Sequence, residues 1–296
     1  MDENELLGRL GSNWQLSGGK VVPATIVVNP FYGSGTEQDP YLISSPGNWN
    51  YLAEKVRTGN TYSGKFFKLV TDITVNTMVG VSNSKYFGGT FDGGGNTLVF
   101  NYTSVQEYCA PFRYIHGATI KNLQTAGTIN ASAKYAAGIA GYVQNVNHIT
   151  SCRSSVVIMS SIDGDGSHGG LVGEVVKGYT DVYFEDCLFD GIFSGAKTEK
   201  WGGFVGWNED GPDSHFYHCL FAPSSVGVDT DGCYTYARRS DSDDIHFYED
   251  KKSYYTVLLK NAQGWDGRGK TAEELVSLLG ANWEVSLGSA VPKFTK

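Results

Sequence analysis

Hydrophobic and polar residues alternate in short runs along most of this chain. Stretches such as Val156–Met159, Asp181–Phe184 and Ile192–Phe193 are separated by Gly, Asn, Asp and Ser residues. Alternation with a period of two predicts short β-strands, and the breaks between the runs predict turns. The middle of the sequence carries no long run with helical periodicity. We therefore expect an all-β fold.

A short glycine-containing motif recurs within this pattern. Its copies are Ala137–Gly141, Gly169–Gly173 and Gly202–Gly206, at spacings of 32 and 33 residues. Repeats of this length are typical of solenoids, propellers and arrays, and a propeller blade takes about 40 to 45 residues for its four strands. Two or three short strands per repeat fit one coil of a parallel β-helix better. The sequence predicts such a solenoid with short capping helices.

A strand-like segment ending in cysteine follows each copy of the motif. The equivalent residue in an earlier variant copy is a leucine, and the four positions are Leu123, Cys152, Cys187 and Cys219. In a β-helix the inward residues of successive coils stack on one another, so these residues are expected to form an interior ladder. Buried free cysteine packs as a small hydrophobic residue. We therefore expect a structural ladder rather than a metal or redox site.

The two ends of the chain repeat one another. Residues 2–27 align without a gap on residues 271–296, an offset of 269, and ten of the 26 pairs are identical. Each copy predicts an N-cap residue with Glu three positions later, about two helical turns, a glycine, a Trp and an extended segment ending in Val-Pro. We interpret residues 1–27 as the tail of a preceding repeat unit, 28–270 as the parallel β-helix, and 271–296 as a C-terminal cap or inter-unit joint.

Such a joint would connect the chain to neighbouring copies of the same unit. A solenoid needs its ends covered, because an open coil presents unpaired strand edges. The residues expected to make the inter-unit contacts are Trp14 and Pro23 in the first copy, and Trp283 and Pro292 in the second. The chain would then be one link of a tandem array or filament.

The composition narrows the possible functions. The chain has 38 glycines among 296 residues and 18% charged residues, against roughly 25% charged residues in ordinary soluble domains. The net charge of −8 disfavours nucleic-acid binding, which normally needs a basic surface. No apolar run approaches the 18 or so residues of a membrane-spanning helix, so no membrane insertion is expected within this segment.

Several motifs resemble those of bacterial surface repeat domains. Residues 35–43, which read GTEQDPYLI, resemble the opening of such domains, and residues 87–98, which read FGGTFDGGGNTL, resemble one of their rungs. The Gly169 and Gly202 copies and the Ala137 variant are similar to the GLUG motifs of adhesin-like right-handed β-helices. This resemblance implies a right-handed parallel β-helix of the pectin-lyase-like type, located outside the cell or on the bacterial surface. It carries no catalytic signature.

The resemblance implies a non-catalytic module that acts as an adhesin, stalk or filament subunit in a tandem array. Host or microbial glycans or surface proteins would be further partners. Two alternatives stay open, namely a carbohydrate-active enzyme and a non-catalytic glycan-binding module. A glycosidase would need a carboxylate pair, such as Asp186 with Glu209 or Asp190 with Asp213, and a lyase would need a basic residue, for which Arg238 or Arg239 is the candidate.

Two further sets of residues are candidates for ligand binding. Asp163 and Asp165 lie two positions apart in a loop, as oxygen ligands of calcium often do, and calcium is the one candidate cofactor. Flat aromatic rings on a rigid scaffold suit the apolar face of a sugar. The candidate glycan platform consists of Trp201, Trp207, Tyr234 and Tyr236.

Overall fold

A computed structural model of the chain describes residues 2–10, 14–23, 30–239 and 241–296. The chain divides into two compact units, Met1–Tyr32 and Gly33–Lys296. The first unit contains helix α1 (Glu3–Leu10) and an antiparallel hairpin of Trp14–Ser17 with Lys20–Pro23. Residues 1, 11–13 and 24–27 of the predicted tail lie outside the described residues.

The second unit is a β-solenoid of about five turns. Successive coils contribute parallel strands to four sheets, and the strands of each sheet follow one another in sequence order, so the prediction of an all-β parallel solenoid is confirmed. Sheet one contains Tyr41–Ile43, Phe66–Leu69, Thr90–Asp92, Thr119–Lys121, Asn147–Thr150, Asp181–Glu185, Asp213–Tyr217 and Ile245–Phe247. Sheet two contains Ile73–Val75, Thr97–Phe100, Gln124–Ala126, Arg153–Ser154, Leu188–Phe189, Leu220–Phe221, Tyr254–Tyr255 and Trp265–Asp266.

The two remaining large sheets have five strands each. Sheet three contains Tyr102–Ser104, Thr128–Ala131, Val157–Ser160, Ile192–Gly195 and Ser225–Val228. Sheet four contains Phe112–His116, Ala140–Gln144, Val172–Val175, Val205–Asn208 and Ala237–Arg239. A small two-stranded sheet pairs Gly164–Asp165 with Thr198–Glu199. No helix among the described residues is long and apolar enough to cross a membrane.

The interior of the solenoid consists of side chains stacked coil upon coil. Leu123, Cys152, Cys187 and Cys219 are fully buried, and each immediately precedes a strand of sheet two. Those four strands are neighbours in that sheet, so the predicted ladder is confirmed. Burial raises the pKa of the Cys152 and Cys187 thiols well above their usual value. These cysteines are therefore held as neutral, unreactive thiols.

In four successive coils the chain turns from sheet one into sheet two through a left-handed residue. Asn122, Ser151, Asp186 and His218 immediately precede the ladder positions and have φ angles of 49°, 50°, 51° and 50°. The glycines of the repeated motif have a different role, since the φ angles of Gly138, Gly170 and Gly203 are not in the left-handed region. A Cβ on Gly203 would lie 1.9 Å from the carbonyl oxygen of Thr235. These glycines permit close approach of successive coils rather than unusual turns.

Helix α2 (Pro46–Arg57) covers the first coils. Ser45 caps its N-terminus by accepting a hydrogen bond from the backbone N–H of Asn48, and proline is placed at its start. Its buried face includes Trp49, whose ring meets Phe112 at 5.2 Å between centroids. This helix agrees with the prediction of short capping helices, and its buried face packs against the interior.

The C-terminal segment packs against the side of the solenoid. Helix α3 (Ala272–Leu279) precedes an antiparallel hairpin of Trp283–Ser286 with Ser289–Pro292. Residues Leu275, Leu279, Trp283, Ala290 and Val291 form one buried cluster with Leu188, Leu220 and Tyr254, which belong to three consecutive strands of sheet two. The interpretation of this segment as an end cap is corrected, because it closes a lateral face across several coils.

This packing also corrects the predicted inter-unit contacts of the second copy. Trp283 is 1% exposed and Pro292 is buried. The indole Nε1 of Trp283 donates to Asp186 at 3.0 Å, and the side-chain amide of Asn282 donates to the other carboxylate oxygen at 2.7 Å. Both residues are held within their own unit. The side chains of Trp14 and Pro23 lie outside the described part of the structure.

Candidate functional site

Two of the residues proposed as a glycan platform are buried in the core. Trp201 and Tyr236 are fully inaccessible. The indole of Trp201 donates to the carbonyl oxygen of Thr198 at 3.1 Å, and the hydroxyl of Tyr236 donates to the carbonyl oxygen of Tyr254 at 2.6 Å. The prediction was wrong for these two residues, because their rings point inward, where they fill the space between sheets.

The other two platform residues are only partly accessible. The guanidinium of Arg238 lies 4.4 Å from the ring centroid of Trp207, and that of Arg239 lies 5.6 Å from the ring of Tyr234. Cation–π contact of this kind occupies one face of each ring. Sugar binding at Trp207 and Tyr234 stays a prediction.

The candidate calcium ligands are already bound by basic side chains. Asp163 contacts Lys197 at 3.3 Å, and Asp165 contacts Lys134 at 3.2 Å and Arg238 at 3.3 Å. Burial opposes ionisation of Asp165, but the hydrogen bond from Ser167 and the charges of Arg238 and Lys134 outweigh it and lower the pKa. A calcium ion would have to displace these cations. Calcium binding stays a prediction that this geometry does not favour.

The candidate catalytic carboxylate pairs do not share a site. Asp190 follows a strand of sheet two and is held by Arg153 at 2.6 Å, whereas Asp213 begins a strand of sheet one. The carboxylate of Asp186 is engaged by Asn282 and Trp283, whereas Glu209 follows a strand of sheet four. The members of each pair thus follow or begin strands of different sheets, or lie at a corner, and other side chains already engage Asp186 and Asp190.

A row of stacked rings runs along the outer face of sheet one. His148, Tyr183, His215 and His246 stand directly opposite one another on four adjacent strands. Their ring centroids are separated by 5.0, 4.5 and 4.7 Å, and consecutive planes are within 16° of parallel. Each of the four is at least partly exposed. We call this set the ring row.

Two tyrosines extend the ring row sideways. Tyr217 lies two residues after His215 on the same face of its strand, and its ring stacks on Tyr248 at 4.5 Å. The hydroxyl of Tyr248 is 2.8 Å from Nδ1 of His215. The ammonium group of Lys251 lies 4.9 Å from the ring of Tyr217. The result is a flat, partly exposed aromatic surface with hydrogen-bonding groups at its edge.

Acidic residues border the other side of the ring row. Asp181 and Asp213 are directly opposite each other on neighbouring strands. Oδ1 of Asp213 is 2.6 Å from Nε2 of His246. One ligand atom from each of Asp213, His215 and His246 lies within 4.8 Å of the other two. This end of the surface thus combines stacked rings, two imidazoles and a carboxylate.

A second polar cluster lies on the outer face of sheet four. The carboxyl of Glu174 is 6% exposed and accepts a hydrogen bond from the hydroxyl of Tyr108 at 2.9 Å. The rings of Tyr114 and Tyr142 lie beside Tyr108, at 5.5 and 5.4 Å between centroids. Burial is the largest cause that raises the pKa of Glu174 to about 7, and the charge of Glu209 adds to it.

The ring row was not predicted from the sequence, although a signal for it was present. His148, Tyr183 and His215 each lie four residues before a ladder cysteine. The residue that follows each of them is apolar and fully buried, and successive strand residues point to opposite faces of the sheet. Together, the two patterns could have placed these rings side by side on the surface.

Comparison with known proteins supports the fold and leaves the family open. No family model matches this chain, and no curated protein matches it. The crystal structure of a putative immunoglobulin A1 protease from Bacteroides ovatus is similar, with a TM-score of 0.54 and 17% sequence identity. The match covers 89% of this chain and 95% of that one. At this identity the likeness shows a shared β-solenoid fold alone.

Proposed function

We propose that this chain is a non-catalytic β-solenoid unit of a tandem array on a bacterial cell surface, where it acts as an adhesin, stalk or filament subunit. The observation that carries the proposal is a helix–hairpin module that occurs at both ends. We call residues 2–23 the N-terminal module and residues 271–292 the C-terminal module. Helices α1 and α3 begin and end 269 positions apart, and so do both strands of the two hairpins.

The two modules also share their internal hydrogen bonds. Asp2 accepts from the backbone N–H of Glu5 at 2.7 Å, and Thr271 accepts from the backbone N–H of Glu274 at 3.2 Å. Both hairpins close through a turn with two positive φ angles, at Gly18–Gly19 and at Leu287–Gly288. A capped helix followed by the same type of turn is a structural repeat, and its spacing equals the length of one unit in the proposed array.

The modules differ in what covers their apolar faces. Leu275 and Leu279 of the C-terminal module are 5% and 1% exposed, because sheet two covers them. Their counterparts in the N-terminal module, Leu6 and Leu10, are 39% and 40% exposed. An apolar helix face is stabilised when it is buried. In an array, the N-terminal module would bury its face against sheet two of the preceding unit.

A module exchange tests this proposal. Residues 271–296 are replaced by the sequence of residues 2–27, which has the same length and supplies Leu, Leu, Asn and Trp at the positions of Leu275, Leu279, Asn282 and Trp283. We expect the chimera to fold, and its thermal unfolding to remain cooperative, because the lateral face receives equivalent groups. Circular dichroism and calorimetry give the readout.

The control chimera carries aspartate in place of the two leucines that face sheet two. This control chimera should unfold at a lower temperature than the first chimera, because buried unpaired charges are costly. If the first chimera unfolds as readily as this control, the N-terminal module does not fit the lateral face, and the tandem-array proposal loses its support.

Glycan binding is a second candidate function, and the ring row is the observation that favours it. Stacked, partly exposed rings with polar edges suit the apolar faces and hydroxyls of sugars. A glycan array should then report ligands that are lost in Tyr183→Ala. Tyr102→Ala, which removes a partly exposed tyrosine from sheet three, is the matched control. Equal binding by both variants would reject this surface as the platform.

Hydrolytic activity is the competing hypothesis, because the similar Bacteroides ovatus protein carries a protease name. Both candidate carboxylate pairs are split between different parts of the solenoid, and this supports a non-catalytic function. We expect no release of reducing or unsaturated sugars from a polysaccharide panel, and no cleavage of immunoglobulin A1 on gel electrophoresis. Product formation that scales with enzyme concentration would overturn the proposal.

A further inference from the structure

The acidic end of the ring row brings three potential metal ligands together on one face. Asp213 and His215 are two residues apart on one strand, so their side chains share its outer face. His246 stands directly opposite His215 on the neighbouring strand. Two adjacent strands of a rigid sheet therefore place the three groups, and their ligand atoms lie within 4.8 Å of one another.

The donor set has a clear chemical preference. Two imidazole nitrogens and one carboxylate oxygen suit Zn²⁺ and its neighbours in the first transition series, whereas Ca²⁺ and Mg²⁺ prefer oxygen ligands throughout. Side chains of His246 and Asp213 are 35% and 40% exposed. Water can therefore complete the coordination shell from the solvent side.

A neighbouring hydroxyl orients one of the imidazoles. The hydroxyl of Tyr248 lies 2.8 Å from Nδ1 of His215. If Nδ1–H donates to this hydroxyl, Nε2 carries the lone pair that a metal ion needs. A partner on the other ring nitrogen is the usual support of a metal-binding histidine.

Only a small adjustment is needed for an ion to enter. Nε2 of His246 and Oδ1 of Asp213 are 2.6 Å apart, whereas two ligands of a tetrahedral zinc ion are separated by roughly 3.3 Å, given bond lengths near 2.0 Å. Rotation of two partly exposed side chains supplies the difference. The charge of the surroundings helps, because Asp181 lies directly opposite Asp213 on the next strand.

We infer that Asp213, His215 and His246 form a binding site for a divalent transition-metal ion, with His215 and His246 as nitrogen ligands and Asp213 as the oxygen ligand. This inference is independent of the tandem-array proposal. The site lies beside the ring row, so a bound ion would be at the edge of the exposed aromatic surface.

Titration with Co²⁺ tests the site in the full chain, prepared with a histidine-free tag. We expect one ion per chain, weak visible absorption typical of nitrogen and oxygen ligands, and no intense thiolate-to-metal band. The last point separates this site from the five buried cysteines. His246→Gln should weaken binding about tenfold or more.

His148→Gln is the matched control, because His148 belongs to the same ring row but is separated from His215 by Tyr183. It should bind Co²⁺ like the unaltered chain. Proton NMR of the unaltered chain gives a second measurement that needs no variant. Substoichiometric Co²⁺ should broaden the ring signals of His215 and His246 before that of His148. Absence of saturable binding, equal binding by His246→Gln, or broadening that begins at His148 would overturn the inference.

Discussion

At the scale of single residues, Glu174 shows how position in the solenoid changes the chemistry of an ordinary side chain. Burial is the main cause that raises its pKa from 4.5 to about 7. The folded chain thus favours the neutral carboxyl, whereas the unfolded chain ionises it at lower pH. The stabilisation is fully present below about pH 4.5 and is lost as the pH rises through about 7.

Glu174→Gln should remove this pH dependence. Glutamine stays neutral and can still accept the hydrogen bond from Tyr108, so the difference in unfolding free energy between variant and unaltered chain should grow from pH 5 to pH 8. The shift in the pKa of Glu174 corresponds to a change in unfolding free energy on the order of 3 kcal/mol. Urea unfolding across this pH range measures it. Glu185→Gln, on the outer face of sheet one, is the control, and parallel pH profiles for both variants would contradict the assignment.

At the scale of elements, helix α3 shows which features depend on local sequence and which depend on tertiary contacts. Leu278 and Leu279 are neighbours in the sequence, but Leu278 is 42% exposed and Leu279 is 1% exposed. The capping box at Thr271 and Glu274 defines the start of the helix locally. Which leucine is buried depends on sheet two, against which the helix packs.

Leu279→Ala should therefore destabilise the chain by about 2–4 kcal/mol, through lost burial and a cavity. Leu278→Ala should cost less than about 1 kcal/mol, since exposed substitutions have small effects. Denaturant unfolding of both variants checks the difference. Similar costs would show that α3 does not pack on sheet two as described.

At the scale of the whole molecule, the C-terminal module shields an apolar strip along the solenoid. Leu188, Leu220 and Tyr254 lie on successive coils and are covered by this module. Each coil of a solenoid is stabilised by contact with the neighbouring coils along the axis. An exposed apolar strip on the side of the solenoid, by contrast, favours association with other molecules.

Removal of residues 271–296, in a chain that also lacks residues 1–27 so that the N-terminal module cannot replace them, should expose this strip. We expect the shortened chain to bind an apolar fluorescent dye and to self-associate in analytical ultracentrifugation, whereas the full chain does neither. Leu220→Ser in the shortened chain should reduce both effects, because it places a hydroxyl in the middle of the strip. A shortened chain that remains monomeric and does not bind the dye would contradict the lateral placement of the module.

Much of the architecture could be predicted from the sequence, because its signals are local. Strand alternation, the repeat of about 32 residues and the strand-like segments that end in cysteine predicted the parallel solenoid and its ladder of Leu123, Cys152, Cys187 and Cys219. The end repeat predicted a capped helix followed by an extended segment at each end, and the structure has a helix and a hairpin there with bounds 269 positions apart. Capping and turn preferences act over a few residues, so they can be read without knowledge of the fold.

The location of the candidate site depended on contacts between distant residues. Trp201 and Tyr236 look as suitable for a sugar platform as Tyr183 does, yet the first two fill the interior and the third lies on the surface. Asp186 meets Asn282 and Trp283 across nearly a hundred residues of sequence. The sequence by itself determined which segments form strands, coils and modules. Only the tertiary structure decided which faces they expose, because the stacking register of the coils sets the direction of every side chain.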